Sequence, residues 1–419
     1  MPTARVAPIV PARTEAVPPG QGQLVELAAW LLVPCILIGT TLNQHPILGV
    51  KSFGQIAMWL AFLSAIEIAY RCTPYRWLFP LSFGALLVSR AARVVIGSET
   101  GVTALYIAGM AGIFGLASAW VVARRPALVR RQVWIFLAVS GALMLVQMYG
   151  RPEILHTFRT DIHDPFTGRV ILDALFQRDP LVGYSTLQVR PAGLLFANNF
   201  LSLVLLGLMA VSFGRWRGGG LDKIDWALAL VVAFTMSKMV FVTLILFTAI
   251  LFLLSGRPNR RRMLKFWMAL ALFLALYYLL FPGVFLYNVS PTNALVNVNV
   301  RFADLSAVIS GLDIAQVSVE GFDGSIRSYT VEAGSQSAIS RLGNQLPVLA
   351  GLGLLIAPIY LIAIRRIWHV DQALARTSII GAVAFLVAPL TTSFLENPMY
   401  WMIFGLVLLP LHVRTPARR

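Results

Sequence analysis

Charge is scarce in this sequence. Of 419 residues, only 12% are Asp, Glu, Lys or Arg, about half of what a soluble domain carries. With 58% hydrophobic residues and a mean hydropathy of +0.76, no core shielded from water could bury this much apolar surface. The solvent for most of the chain is therefore lipid. Cysteine is nearly absent: Cys35 lies within an apolar run and Cys72 at the end of another, which excludes a disulfide framework and a cysteine metal site. Nucleotide motifs are missing as well. There is no Gly-x-x-x-x-Gly-Lys, and Arg217-Gly-Gly-Gly reads as a turn. No metal or cofactor is expected. Acidic residues are the rarer charge, 18 against 34 basic, which leaves a net charge of +16.

What is present is a succession of apolar stretches. They run near 24–43, 53–70, 77–96, 102–123, 132–149, 193–213, 221–236, 239–255, 264–281, 346–364, 377–394 and 398–413. Most have the length a helix needs to cross about 30 Å of hydrocarbon at about 1.5 Å per residue. The expected fold is all-α, a polytopic membrane protein of about 12 transmembrane helices (11–12) in a single domain over 23–413. Residues 1–22, rich in Pro, Ala and Val, read as a disordered cytoplasmic tail, and 414–419 as a second one.

The basic residues set the orientation. With the N-terminus inside and twelve crossings, 22 of the 34 basic residues fall on the cytoplasmic side, and the outside is neutral. Such an asymmetry is a membrane signature rather than a nucleic-acid footprint. It also divides 221–255 into two crossings that turn near Ser237-Lys238, because one long helix would carry Arg257-Pro-Asn-Arg-Arg-Arg outside. The first crossing is short, so Lys238 is expected below the outer surface. Two loops are long, about 150–192 and 282–345, and both face outward. The cytoplasmic loops are short and Arg-rich, so chemistry belongs to the outer side.

Three features there could carry it. In Arg190-Pro-Ala-Gly-Leu-Leu-Phe-Ala-Asn-Asn the outer loop re-enters the membrane. A guanidinium at that depth calls for an anionic partner, although one snorkelling to headgroups fits equally. Pro191 stiffens the approach, Gly193 permits close backbone contact, and Asn198 and Asn199 can hydrogen-bond a polar ligand or a neighbouring helix. Thr235-Met236-Ser237-Lys238 places a recessed cation among small hydroxyls, suited to an anion or a headgroup; a snorkelling lysine is again the alternative. The loop 282–345 mixes Arg301, Arg327 and Arg341 with Asp304, Asp313, Glu320, Asp323 and Glu332, a pattern a solvated loop also shows. Glu67, inside the second stretch, is expected to pair with a neighbouring arginine or snorkel.

The order of these motifs resembles the O-antigen ligase and polymerase superfamily. An Arg-Pro-x-Gly-x-x-Phe-x-x-Asn segment precedes a middle span. A span boundary at Ser-Lys follows, then a long outer loop opening with Arg301 and Gly311, then Gly-Leu-Gly-Leu-Leu from Gly351 to Leu355. The likeness covers roughly 150–400. One departure is Asn198, where the family usually has Pro before the second Asn. Another is the large outer loop, which lacks the late histidine of the ligases: the five histidines are His45, His156, His163, His369 and His412.

The resemblance implies a bacterial inner-membrane protein with both termini cytoplasmic and a periplasmic active site. It implies a Wzy-like, metal-independent glycosyltransferase that polymerises an exopolysaccharide or O-antigen. A growing glycan on undecaprenyl pyrophosphate would pass to a lipid-linked repeat unit. Arg190 and Arg301 would hold the pyrophosphate with Lys238, Ser237, Asn199 and Arg327 around it. Glu332 would take the acceptor proton, ahead of Asp304 or Asp323, and Tyr329 and Trp401 could stack on sugars. Partners would be the lipid-linked oligosaccharide, the bilayer, and a chain-length regulator with export proteins, with no nucleic acid. Two other readings stand beside this: a ligase that transfers finished glycan, and a transporter or flippase. Against the latter, the halves show no convincing repeat and polar residues gather at the outer edge.

Overall fold

The computed structural model describes residues 21–42, 50–72, 77–96, 105–106, 108–149, 193–195, 198–216, 218–282, 285, 289, 346–388 and 398–412. The expected tails fall outside these residues but for 21–22, and so does nearly all of both long loops. Among the described residues there is helix and no strand. The main helices are α1 (Gln21–Leu42), α2 (Val50–Cys72), α3 (Leu78–Ile96) and α4 (Ala108–Arg124). After them come α5 (Pro126–Tyr149), α6 (Asn198–Gly214), α7 (Lys223–Thr235) and α8 (Lys238–Leu254). The remainder are α9 (Arg257–Leu280), α10 (Leu346–Trp368), α11 (Gln372–Val387) and α12 (Pro398–Val407). Every apolar stretch in the sequence lands on a helix. Four of the helices (α1, α2, α5 and α9) are long and apolar enough to cross a membrane on their own, and others are shorter.

Several helices outrun their apolar stretches. The basic segments Arg130-Arg131 and Arg257–Lys265 form the first turns of α5 and α9 rather than loops. Pro126 opens α5 and a proline sits in the first turn of α9, where its missing N–H has no partner to lose. Within α4, Ala111–Gly115 widens to a π-turn before the α-helix resumes.

The outer surface is that of a lipid-facing bundle. Phe53 and Trp59 on α2 are each 66% exposed, Leu279 on α9 is 74% exposed, and Leu253 on α8 is 82% exposed. In water such a surface would aggregate; in hydrocarbon it costs nothing. Between helices, small residues bring backbones together, as they do where lipid removes the hydrophobic drive for association. A Cβ on Gly405 of α12 would stand 2.6 Å from the Gly115 carbonyl of α4, and one on Gly214 would stand 2.4 Å from Thr377 Cα on α11. Ser118 Oγ adds a hydrogen bond of 2.9 Å to the Met402 carbonyl across the α4–α12 contact. The centre of the bundle is α6, which packs on α7, α8, α11 and α12 and buries Leu203, Leu205, Leu206, Met209, Ala210 and Phe213 completely.

The two-helix reading of 221–255 matches the geometry. Asp225, in the first turn of α7, is 1% exposed and accepts from Trp216 Nε1 at 2.9 Å. Trp216's carbonyl accepts from Arg376 at 3.4 Å, and Arg376 donates to Ser255, just past α8, at 3.2 Å. The start of α7 and the end of α8 therefore share one end of the bundle, and the chain reverses at 236–237. That end gathers the basic residues. Arg262 of α9 reaches Asp225 at 2.9 Å through Nε and 2.5 Å through Nη2, Arg130 of α5 pairs with Asp222 at 2.8 Å, and Arg125 pairs with Glu26 of α1. Glu67 pairs with Arg71 one turn on, at 2.7 Å, as expected, and both cysteines are free.

Asp225 and Arg262 are both buried, so removing one leaves the other with fewer partners; without Asp225, Arg262 keeps the longer contact with Asp222 at 3.1 Å. Asp225→Ala should cost about 3–5 kcal/mol of stability, and Asp225→Leu with Arg262→Met should recover most of it. Denaturant unfolding in detergent measures both. A single variant as stable as the parent would contradict the pairing.

Candidate functional site

At the far end of α7 the chain makes its sharpest turn. Met236 adopts a left-handed conformation with φ 47°, uncommon for a residue with a side chain. It ends α7, and Ser237 returns to extended backbone to start α8. Thirteen residues of α7 reach about 20 Å, some 10 Å short of a full hydrocarbon layer. A helix of that length, started at one face of a hydrocarbon layer, would leave its turn recessed. The turn is closed: Thr235 is 0% exposed and Ser237 6%. Thr235 Oγ1 donates to the Val232 carbonyl at 2.9 Å and accepts from Ser237 N–H at 3.4 Å.

A hydrogen bond ties this turn to the central helix. Ser202 Oγ of α6 donates to Ser237 Oγ at 2.7 Å. Lys238 opens α8 half-buried, and its Nζ is closed off from solvent. Lys238 is the first residue of α8, the end at which the helix dipole is positive. Both are cationic features, and a pair of them favours an anion.

The polypeptide leading into α6 packs against α5. Gly193 has φ 59°, and a Cβ there would meet Ser140 Cβ at 2.9 Å and Ser140 Cα at 3.1 Å. Both the conformation and the contact require glycine, which gives physical content to the close approach expected of it. Asn199 stands in the first turn of α6, three residues before Ser202. The Gly193 segment, the start of α6 and the Ser237-Lys238 turn thus share one end of the bundle.

Of the residues singled out in the sequence, Ser237, Lys238 and Asn199 lie on described elements. Arg190, Arg301, Arg327 and Glu332 lie outside the described residues, as do Tyr329, Asp304 and Asp323. One expectation is corrected. Trp401 is 0% exposed, packed among Phe385, Tyr400 and Phe404, so it cannot stack on a sugar. The start of α12 folds inward because its aromatic residues complete the contact with α11 and α4. No group of three or more His, Cys, Asp or Glu positioned for a metal occurs among the described residues.

The sequence reading passed over the opposite end. Asp222 caps α7 through Ile224 and Asp225 N–H groups at 3.0 and 3.2 Å, and Asp225 Oδ2 accepts from Asp222 N–H at 3.0 Å, a reciprocal box. Its signal was legible as Asp-x-x-Asp ahead of an apolar run, on the side where acids are fewest.

Gly193→Ala should lower stability by about 1–2 kcal/mol, because it combines left-handed strain with a clash. Gly218 has φ 85° but nothing within 4 Å of its added Cβ, so Gly218→Ala should cost less. Equal losses in detergent unfolding would show that the Ser140 contact contributes nothing.

Compared with protein-family models, characterised proteins and solved structures, the chain matches none.

Proposed function

We propose that the chain is a polymerase of a bacterial surface polysaccharide or exopolysaccharide. It acts at the periplasmic face of the inner membrane with both termini in the cytoplasm. The observation that carries this reading is the closed Ser237-Lys238 turn, hydrogen-bonded through Ser202 to α6, the helix onto which the Arg190–Asn199 motif leads. A transporter would need polar groups along a path through the bundle. Here the core of α6 is apolar from Leu203 to Phe213, which supports chemistry at one surface over passage.

The reaction joins two lipid-linked glycans. The acceptor hydroxyl attacks the anomeric carbon of the growing chain. A carbon–oxygen bond forms as the bond to pyrophosphate breaks, and undecaprenyl pyrophosphate leaves with the electron pair. Arg190 and Arg301 stabilise its growing charge by bidentate contact, with Lys238 behind them and Arg327 next. Ser237 and Asn199 orient the substrate, and Glu332 accepts the hydroxyl proton. The polyprenyl tails lie along the apolar helix faces. The product length would be set with a regulator and passed to export proteins. A ligase shares this architecture but uses a late-loop histidine that positions 282–345 lack.

A knockout of the host gene complemented with variants tests this. Arg190→Ala and Arg301→Ala should each cut polymer at least 100-fold, about 3 kcal/mol of lost charge stabilisation, while single lipid-linked repeats accumulate. Arg→Lys at either position should stay inactive, since an ammonium lacks the planar fork. Polymer of normal length and amount from both alanine variants would remove the site. Substrate flux in proteoliposomes without glycan product would replace the enzyme with a transporter.

A further inference from the structure

The basic end of the bundle holds a second, unrelated feature. The helix α5 packs on α7, α4 and α1, whereas α6 packs on α7, α8, α11 and α12. The two flank a cleft. Near the helix ends it opens into a cavity of about 440 Å³, whose charged lining is Arg130, Arg215, Arg262, Asp222 and Asp225. Among the described residues that line it, three cations face two anions. Asp225 is committed to Arg262 and Trp216, and Asp222 is shared between Arg130 and Arg262 at 2.8 and 3.1 Å. Arg130 and Arg215 stand at the cavity with them. Arg130 is 62% exposed, and Arg215 donates to the Val122 carbonyl. Lys223 stands close by, its Nζ 4.8 Å from the Trp134 ring centre.

Val129, Val133 and Val211 wall this cavity and also a second one of about 100 Å³. The second is almost wholly apolar and follows α6 from Val211 back to Val204, about 10 Å along the axis. Phe136 and Met402 help to line it. Its one buried polar loose end is Gln132: Nε2 donates to the Trp30 carbonyl at 3.1 Å, while Oε1 is buried without a hydrogen-bond partner among the described residues. A headgroup hydroxyl or an accompanying water would supply the missing donor.

A charged mouth continuing into an apolar slot between helices fits one class of molecule. We propose that this cleft binds an anionic phospholipid, with its phosphate on Arg130 and Arg215 and part of one acyl chain between α5 and α6. A free phosphate or a soluble nucleotide would use the first cavity and leave the apolar slot empty. A zwitterionic lipid would bring its own cation to a surface already positive. The lipid would fill a gap the protein leaves open and join α5 to the α6 core.

The test uses the full chain purified in detergent and thermal unfolding in mixed micelles. Phosphatidylglycerol should raise the midpoint saturably, and phosphatidylcholine or inorganic phosphate at the same concentration should not. Arg130→Gln with Arg215→Gln should raise the half-saturating phosphatidylglycerol concentration about tenfold, the loss of charge-assisted hydrogen bonds. Val211→Trp, which fills the slot and leaves the charges alone, should weaken it as much. If either variant fails to fold, Arg130→Gln alone, at an exposed side chain, must still weaken binding. Phosphatidylcholine or phosphate acting as well as phosphatidylglycerol, or Arg130→Gln binding it unchanged, would overturn the proposal.

Discussion

The buried carboxylate of Asp225 is the constraint around which this bundle closes. A charge that is 1% exposed must be matched on every side or the helix carrying it cannot enter the core. Here it is matched by Arg262 from α9, by the Trp216 indole beyond α6, and by the N-terminal N–H of its own cap. The Arg262 guanidinium in turn lies 5.2 Å from the Trp216 ring centre, and Trp216 stacks at 4.4 Å on Phe213 of the central helix. Three helix ends are thereby held in one register. Arg130 brings α5 to the same cluster and Arg376 brings α11. In a lipid solvent, where apolar faces slide past one another without loss, a satisfied polar cluster of this kind fixes relative depth.

Depth is what the proposed site depends on. With α7 pinned at its acidic start, its thirteen residues determine where the Met236 turn falls, and a helix of that length is shorter than a full hydrocarbon layer. The left-handed Met236 and the Ser202–Ser237 hydrogen bond then hold the turn against α6. A cation placed so is shielded from bulk water, and its attraction for an anion is correspondingly less screened. The strained turn and the fixed depth are two halves of one device.

The fold was readable to the extent that lipid writes it into composition. Apolar length located each of the twelve main helices described, because a helix in lipid must satisfy its own backbone and hide its polar groups. Basic clusters located the reversal at 237 for the same reason. Helix ends were less legible. The basic turns of α5 and α9 are helical because proline and capping geometry, not hydropathy, set where a helix starts. Trp401 shows a different limit: an aromatic residue at a helix start reads as exposed, and only packing against Phe385 and Phe404 reveals that it belongs to the core. The Asp225–Arg262 pair joins positions 37 residues apart, and no local pattern announces it.

The two ends of the bundle differ in how they treat charge, and this difference separates structure from chemistry. At one end the acids are matched by bases at hydrogen-bond distance, Asp225 by Arg262 and Asp222 by Arg130 and Arg262, and the product is rigidity. At the other, Lys238 opens α8, at the positive end of its dipole, beside a closed turn. The proposed catalyst, whose leaving group carries several negative charges, needs cations held still before the charge develops. Rigidity at the Asp225 end would supply that condition to the Lys238 turn, through the helices that run between them.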